Sequence, residues 1–200
     1  DDHVIDHGPD KVADELAFGD YPPVIYQVID PHDVKPFATT WWAVYRDGRV
    51  VCFMEWPDER CPKLFHEMDQ FDCSFDEYVR IYKLKERRIP VYRRIGDKDF
   101  MNQKRQRGQG MQSISDALKV ASNGKIRLLQ SLGDFGQNHL LVQDLLRVRK
   151  YADDSGKIVE GPKMFADRGC RNFDYGMRRY LWVKNAGKSL DSRDRISSRP

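Results

Sequence analysis

Apolar positions along the chain keep a strand rhythm early and a helical rhythm later. Val24–Asp30 (VIYQVID) is β-branched, aromatic and nearly continuous in apolar character, as a buried central strand reads. Pro31 and Pro36 then interrupt regular structure. Residues 39–45 (TTWWAVY) and 49–56 (RVVCFMEW) are strand-like runs joined by Arg46-Asp47-Gly48. Asp-Gly between such runs predicts a hairpin, so three strands follow one another as an antiparallel meander. At Ser74 the period changes. Phe75, Tyr78, Val79 and Tyr82 recur at helical spacing, and Ser74 with Glu77 fits a capping box. The helix ends before Pro90, and residues 90–96 (PVYRRIG) are strand-like again, leading into Asp97.

Beyond Asp97 the pattern loosens. Residues 99–112 (DFMNQKRQRGQGMQ) are rich in Gly, Gln and Arg and predict a mobile loop. A short helix over 113–121 ends at Asn123-Gly124, and residues 125–130 predict a strand. Residues 138–151 form the clearest helical pattern, with Leu141, Val142, Leu145, Leu146 and Val148 on one face. Residues 151–162 read as a solvent loop, 163–166 as a strand and 173–182 as a last helix. The chain divides into an N-terminal arm (1–23), one domain (24–183) and a polar tail (184–200), with no internal repeat.

Three strands, helix, strand, helix, strand, helix is the ribonuclease-H-like order. It is an α/β fold with a mixed sheet, an antiparallel three-strand meander plus parallel strands, flanked by helices. A helix between two strands of one sheet makes a right-handed crossover, so the first and fourth strands lie parallel and side by side. Asp30 ends the first and Asp97 the fourth. Both carboxylates then emerge at one sheet edge, where open α/β folds place ligands. Carboxylates held close repel one another unless a positive charge sits between them. Mg²⁺ or Mn²⁺, hard ions preferring oxygen ligands, suit that place. Two such ions roughly 3.5–4 Å apart activate a water and stabilise the leaving oxygen of a phosphodiester. Either aspartate alone also fits a turn, and spacing does not decide between the two readings.

Composition narrows the partners. The 200 residues suffice for one compact domain, and 40% apolar with 32% charged residues is ordinary for a globular chain. No run approaches the roughly 20 apolar residues of a membrane span, and the first residues lack a secretory signal. The start at Asp1 suggests a piece of a longer polypeptide. Cys52, Cys61, Cys73 and Cys170 contain no CxxC pair and read as reduced thiols of a cytosolic protein. The net charge of +3 does not by itself require nucleic acid. Basic residues nevertheless cluster at 85–94, 104–107 and 147–150, which makes Arg93, Arg94, Lys104, Arg105 and Arg107 candidate contacts to DNA phosphates. Each cluster equally fits a solvated face.

Several segments resemble the nuclease domain of phage terminase large subunits. Residues 26–57 (YQVIDPHDVKPFATTWWAVYRDGRVVCFMEWP) match that family's strand-ending Asp followed by a Trp-containing hairpin. Residues 93–100 (RRIGDKDF) are similar to its second acidic motif. Residues 110–149 resemble its stretch from that acid to a helix beginning near a Gly and a His. Residues 161–182 (GPKMFADRGCRNFDYGMRRYLW) resemble its succession of short strand, Cys, helix and Tyr-x-Trp. The likeness covers about residues 24–182.

The resemblance implies a metal-dependent endonuclease that cuts double-stranded DNA during genome packaging in the host cytoplasm. Asp30 and Asp97 become catalytic residues and ligands of two Mg²⁺ or Mn²⁺ ions, with Asp33, Glu55 and Asp194 as possible assistants. His32 and His139 are read as orienting loops or packing. The family's third acid, late in the chain before a final helix, has no clear counterpart. Asp191 and Asp194 lack the apolar helix that should follow, Asp174 is weaker, and the similar run DDHVID stands at residues 1–6, where it reads as a short edge strand. The resemblance also implies a portal and a packaging ATPase domain as partners, and this sequence itself contains no GxxxxGK[ST] loop of an ATPase motor. Two alternatives stay open: another ribonuclease-H-like nuclease, such as a resolvase or integrase core, and a DNA-binding or assembly module without catalysis.

Overall fold

The computed structural model describes residues 3–32, 35–58, 73–97, 104–107, 110–131, 135–153, 155–178, 181–182 and 196–197. Its centre is the expected meander: β2 (Val24–Asp30), β3 (Ala38–Val44) and β4 (Val50–Trp56), each antiparallel to the next. The hairpin between β3 and β4 turns at Gly48, whose φ of 82° suits a residue without Cβ. Asp47 accepts the Arg49 amide at 2.9 Å, which tightens the turn.

α2 (Phe75–Lys85) begins with the expected reciprocal cap between Ser74 and Glu77. It leads to β5 (Arg93–Gly96), which pairs parallel with β2. β8 (Leu128–Gln130) extends the sheet parallel to β5, after α3 (Ile114–Ala121), which Asn123 and Gly124 close at positive φ. Across the meander, β11 (Met164–Asp167) lies parallel to β4, and β1 (Val4–Ile5) lies parallel to β11. The result is a seven-stranded mixed sheet in the order β1-β11-β4-β3-β2-β5-β8.

Alternation along the strands gives the sheet two faces. One carries Ile25, Gln27, Ile29, Thr39 and Trp41 beneath α2. There Tyr82 meets Trp41 edge-on at 5.7 Å, and Tyr78 stacks on Phe37 at 4.3 Å. The other face carries Trp42 and Cys52 beneath α5 (Arg171–Arg178), whose Phe173 meets the Trp42 ring at 5.0 Å. Each fully buried aromatic or aliphatic side chain contributes roughly 1.5–3 kcal/mol.

Four stretches depart from the sequence expectation. Residues 1–23, read as an arm, supply β1, the expected short edge strand, and also α1 (Pro9–Phe18). Val12 and Ala13 of α1 enter the main core. Within 99–112, β6 (Lys104–Arg107) pairs antiparallel with β7 (Gly110–Ser113) where a loop was expected. α4 (Phe135–Leu146) stops before Arg147, so residues 149–151 are not helical. They belong to β9 (Arg149–Ala152), which pairs with β10 (Ile158–Gly161) inside the expected solvent loop. Finally, α5 ends at Arg178, and β12 (Leu181–Trp182) pairs with β13 (Ile196–Ser197) of the expected tail. No helix among the described residues is long and apolar enough to cross a membrane.

Candidate functional site

The site is built by two strand ends. Ile29 of β2 faces Gly96 of β5 in parallel register, so Asp30 and Asp97 occupy the next positions on adjoining strands. Neighbouring strands lie about 4.8 Å apart, which brings the two acids to one edge of the sheet. Asp30 is exposed as a residue, yet partial burial of its carboxyl raises its pKa above the ordinary carboxylate value. The surrounding protein is the larger cause, the negative charge of Asp97 the second, and His32 opposes both. His32 accepts the Lys35 amide through Nδ1 at 3.1 Å. His139 lies on α4, half-buried.

Glu55 shares the face of Asp30, because Asp30 and Val28 alternate onto the side where Thr40 stands opposite both Val28 and Glu55. Its carboxylate is already engaged. Oε1 accepts from the Asn172 amide at 2.8 Å and from Asn172 Nδ2 at 3.1 Å, while Oε2 accepts from the Phe173 amide at 2.9 Å. Glu55 therefore supplies the anion at the N-terminus of α5, satisfying amides that a helix leaves unpaired. Burial pushes its pKa up, and these hydrogen bonds pull it part-way back. Nothing local in the sequence signals this contact, since the partners lie 117 residues apart.

The basic candidates separate. Arg93 is exposed, on the same face of β5 as Asp97 by alternation, with its guanidinium 5.0 Å from the Tyr92 ring centre. Arg94 points to the opposite face, against the expectation that it meets phosphate. It donates to Gln27 and to both oxygens of Glu86, at 2.6 and 2.7 Å, and Glu86 also accepts from the Trp41 indole at 2.8 Å. This half-buried network holds the end of α2 to the sheet, so Arg94 is structural. Lys104, Arg105 and Arg107 fall on β6, placed by its main-chain pairing with β7. Asp174 is ion-paired to Arg178 within α5. Asp33, Asp191, Asp194 and Cys61 lie outside the described residues. Cys52, Cys73 and Cys170 are free thiols. Among the described residues no cluster of three or more His, Cys, Asp or Glu side chains is arranged to hold a metal ion.

Two solved structures share this arrangement. The chain matches the large terminase from the thermophilic bacteriophage D6E over 99% of its own length, with a TM-score of 0.58 and 13% identity. It matches the nuclease domain of the P22 large terminase over 88% of its length, with a TM-score of 0.52 and 10% identity. The fold is that of a large-terminase nuclease domain. The ribonuclease-H-like mixed sheet expected from the order of elements is thus observed. The chain spans 39% of the D6E terminase and 73% of the P22 nuclease domain. No family model and no curated protein matches it. At this level of identity the terminase likeness rests on the arrangement of strands and helices.

Proposed function

We propose that this domain is a metal-dependent endonuclease that cleaves double-stranded DNA during phage genome packaging, with Asp30 and Asp97 as its catalytic acids. One observation carries the reading. In a terminase-nuclease fold, two carboxylates stand at adjoining strand ends, and the charge of Asp97 helps to raise the pKa of Asp30. That mutual repulsion is what a divalent cation relieves, and an all-oxygen donor pair suits Mg²⁺ or Mn²⁺. Asp30 and Asp97 would hold the metal, which when bound supplies an activated water and charge stabilisation for phosphodiester hydrolysis. His32 beside Asp30 accepts the Lys35 amide, and Arg93 offers an exposed cation on the acids' face for a DNA phosphate. Asp33 and Asp194 remain candidate assistants, whereas Glu55 serves α5. Lys104, Arg105 and Arg107 add positive charge on the β6–β7 ribbon. The working context is the host cytoplasm, with a packaging ATPase and a portal supplying timing and place.

A second reading, a DNA-binding or assembly module without catalysis, is favoured by the lack of a third acid beside the pair among the described residues. Nicking of supercoiled plasmid in Mn²⁺ separates the two. Replacing partners one step removed from a metal already lowers affinity or activity 10–100-fold, so Asp30→Asn and Asp97→Asn should each slow nicking by on the order of 100-fold or more. Unchanged nicking in both variants defeats the assignment of these acids. Absence of nicking by the wild type, with DNA still bound, supports the second reading.

A further inference from the structure

We propose that the outer face of α5, with Arg168, Arg171 and Arg178, is a second contact for the phosphate backbone of the bound DNA duplex. The ligand assignment rests on the nuclease reading above. The three arginines and Tyr175 border a cavity of about 600 Å³ beside Val4 of β1, on the flank of the sheet away from β5. Arg171, Tyr175 and Arg178 follow at i, i+4 and i+7, so they share one stripe of the helix. At 1.5 Å per residue the two arginines stand about 10 Å apart along its axis. Phe173, off that stripe, packs on Trp42 of the sheet.

Three acids stand beside the three arginines, two of them paired with Arg168 and Arg178, which leaves Arg171 as the cation open to a phosphate. Asp167 is occupied by main-chain amides, accepting from His7 at 2.7 Å and from Gly169 at 2.8 Å. Asp6 pairs with Arg168 Nε at 3.0 Å, but the two side chains are 80% and 74% exposed, and such open pairs are weak and exchangeable. Asp174 takes Arg178 Nε on both oxygens at 2.8 Å. Arg171 is exposed, and no acid pairs with it among the described residues. Guanidinium groups match phosphate with two parallel hydrogen bonds, and spaced arginines on one stripe suit a repeating phosphate chain.

Position links this patch to the acids. β11 runs parallel to β4, and β4 runs in the direction of β2 because β3 is antiparallel to both. Arg168 and Arg171, just past the end of β11, therefore stand at the same end of the sheet as Asp30. Three strand spacings separate β11 from β2, about 14 Å across the sheet. One DNA strand advances about 3.4 Å per nucleotide, so a duplex engaged at the acids presents backbone to α5 roughly four base pairs or more away.

The test is binding of a 30-base-pair duplex, by fluorescence anisotropy over a range of salt, with hydrolysis of a small phosphodiester in Mn²⁺ alongside. Arg168→Ala/Arg171→Ala should raise Kd about tenfold and lower the salt slope by about two, close to 0.9 for each phosphate no longer neutralised. Arg171→Ala alone, which breaks no ion pair, should give about half that slope change. Arg127→Ala removes an exposed charge elsewhere, where Arg127 Nε donates to the Gly124 carbonyl, and should bind as the wild type does. Hydrolysis of the small ester should be unchanged in every variant. Wild-type Kd and slope in the double variant, or an equal loss in Arg127→Ala, overturns the proposed DNA surface, as does a wild type that binds no duplex. A wild type that binds DNA but never hydrolyses the ester defeats the nuclease reading instead, and the variants' binding still decides whether α5 holds the duplex.

Discussion

Asp30 holds a proton more tightly in the folded chain than in the unfolded one, because the surrounding protein and then Asp97 disfavour its charge. A raised folded pKa has a definite consequence. The stability it contributes is complete below the unfolded value of about 3.9 and is lost as pH rises through the folded value. At neutral pH the metal-free protein therefore carries an unfavourable carboxylate pair. Asp97→Asn should raise the melting temperature in EDTA at pH 7, by removing the like charge. Mn²⁺ should raise it in the wild type and by much less in the variant. A variant that melts below wild type in EDTA, or gains as much from Mn²⁺, contradicts the idea that these two side chains repel each other and share an ion. Glu55 shows why residue type alone is a poor guide: it lies on the acids' face, yet its oxygens are taken by the first amides of α5.

Elements report how local rules meet tertiary ones. α1 is fastened through His7, whose Nε2 lies 2.6 Å from the Tyr45 hydroxyl and 3.1 Å from Glu15, while that hydroxyl donates to Glu15 at 2.6 Å. Burial lowers the His7 pKa below 6.5 against the pull of Glu15. A lowered histidine stabilises the fold above the unfolded value, and that stability is lost as pH falls from about 6.5 through the folded value. Denaturant unfolding should show stability falling over that window, at up to about 1.4 kcal/mol per pH unit from this group. His7→Gln should flatten the decline, and an unaltered slope in the variant would refute the assignment. The meander and α2 were legible because Asp47-Gly48 and the Ser74/Glu77 cap are local signals. α1 was not, because its apolar stripe (Val12, Ala13, Leu16) is short, and the core that takes Val12 and Ala13 is built from residues distant in sequence. The pattern over 138–151 ran too far because helical and strand periods both accept Val148 and Tyr151. The turn in which Asp153 accepts the amides of Ser155 and Lys157 closes a hairpin that composition presents merely as a polar loop.

The whole molecule places charge by topology. Its net charge is only +3, yet the sheet order puts an acidic pair between β2 and β5 and an arginine stripe beyond β11. The acidic pair was legible in the sequence, because a strand–helix–strand crossover fixes parallel neighbours and so the edge at which Asp30 and Asp97 emerge. The arginine stripe was not, since β11 joins β4 across more than 100 intervening residues and no local pattern announces that pairing. The central claim is that the two aspartates hold divalent cations between them. Crystals soaked in Mn²⁺ and measured for anomalous scattering test it directly. Anomalous density bridging the side chains of Asp30 and Asp97, absent from Asp97→Asn crystals, is the predicted result. At saturating Mn²⁺, a gap without anomalous density, or one filled by a lysine or arginine side chain, would contradict the account.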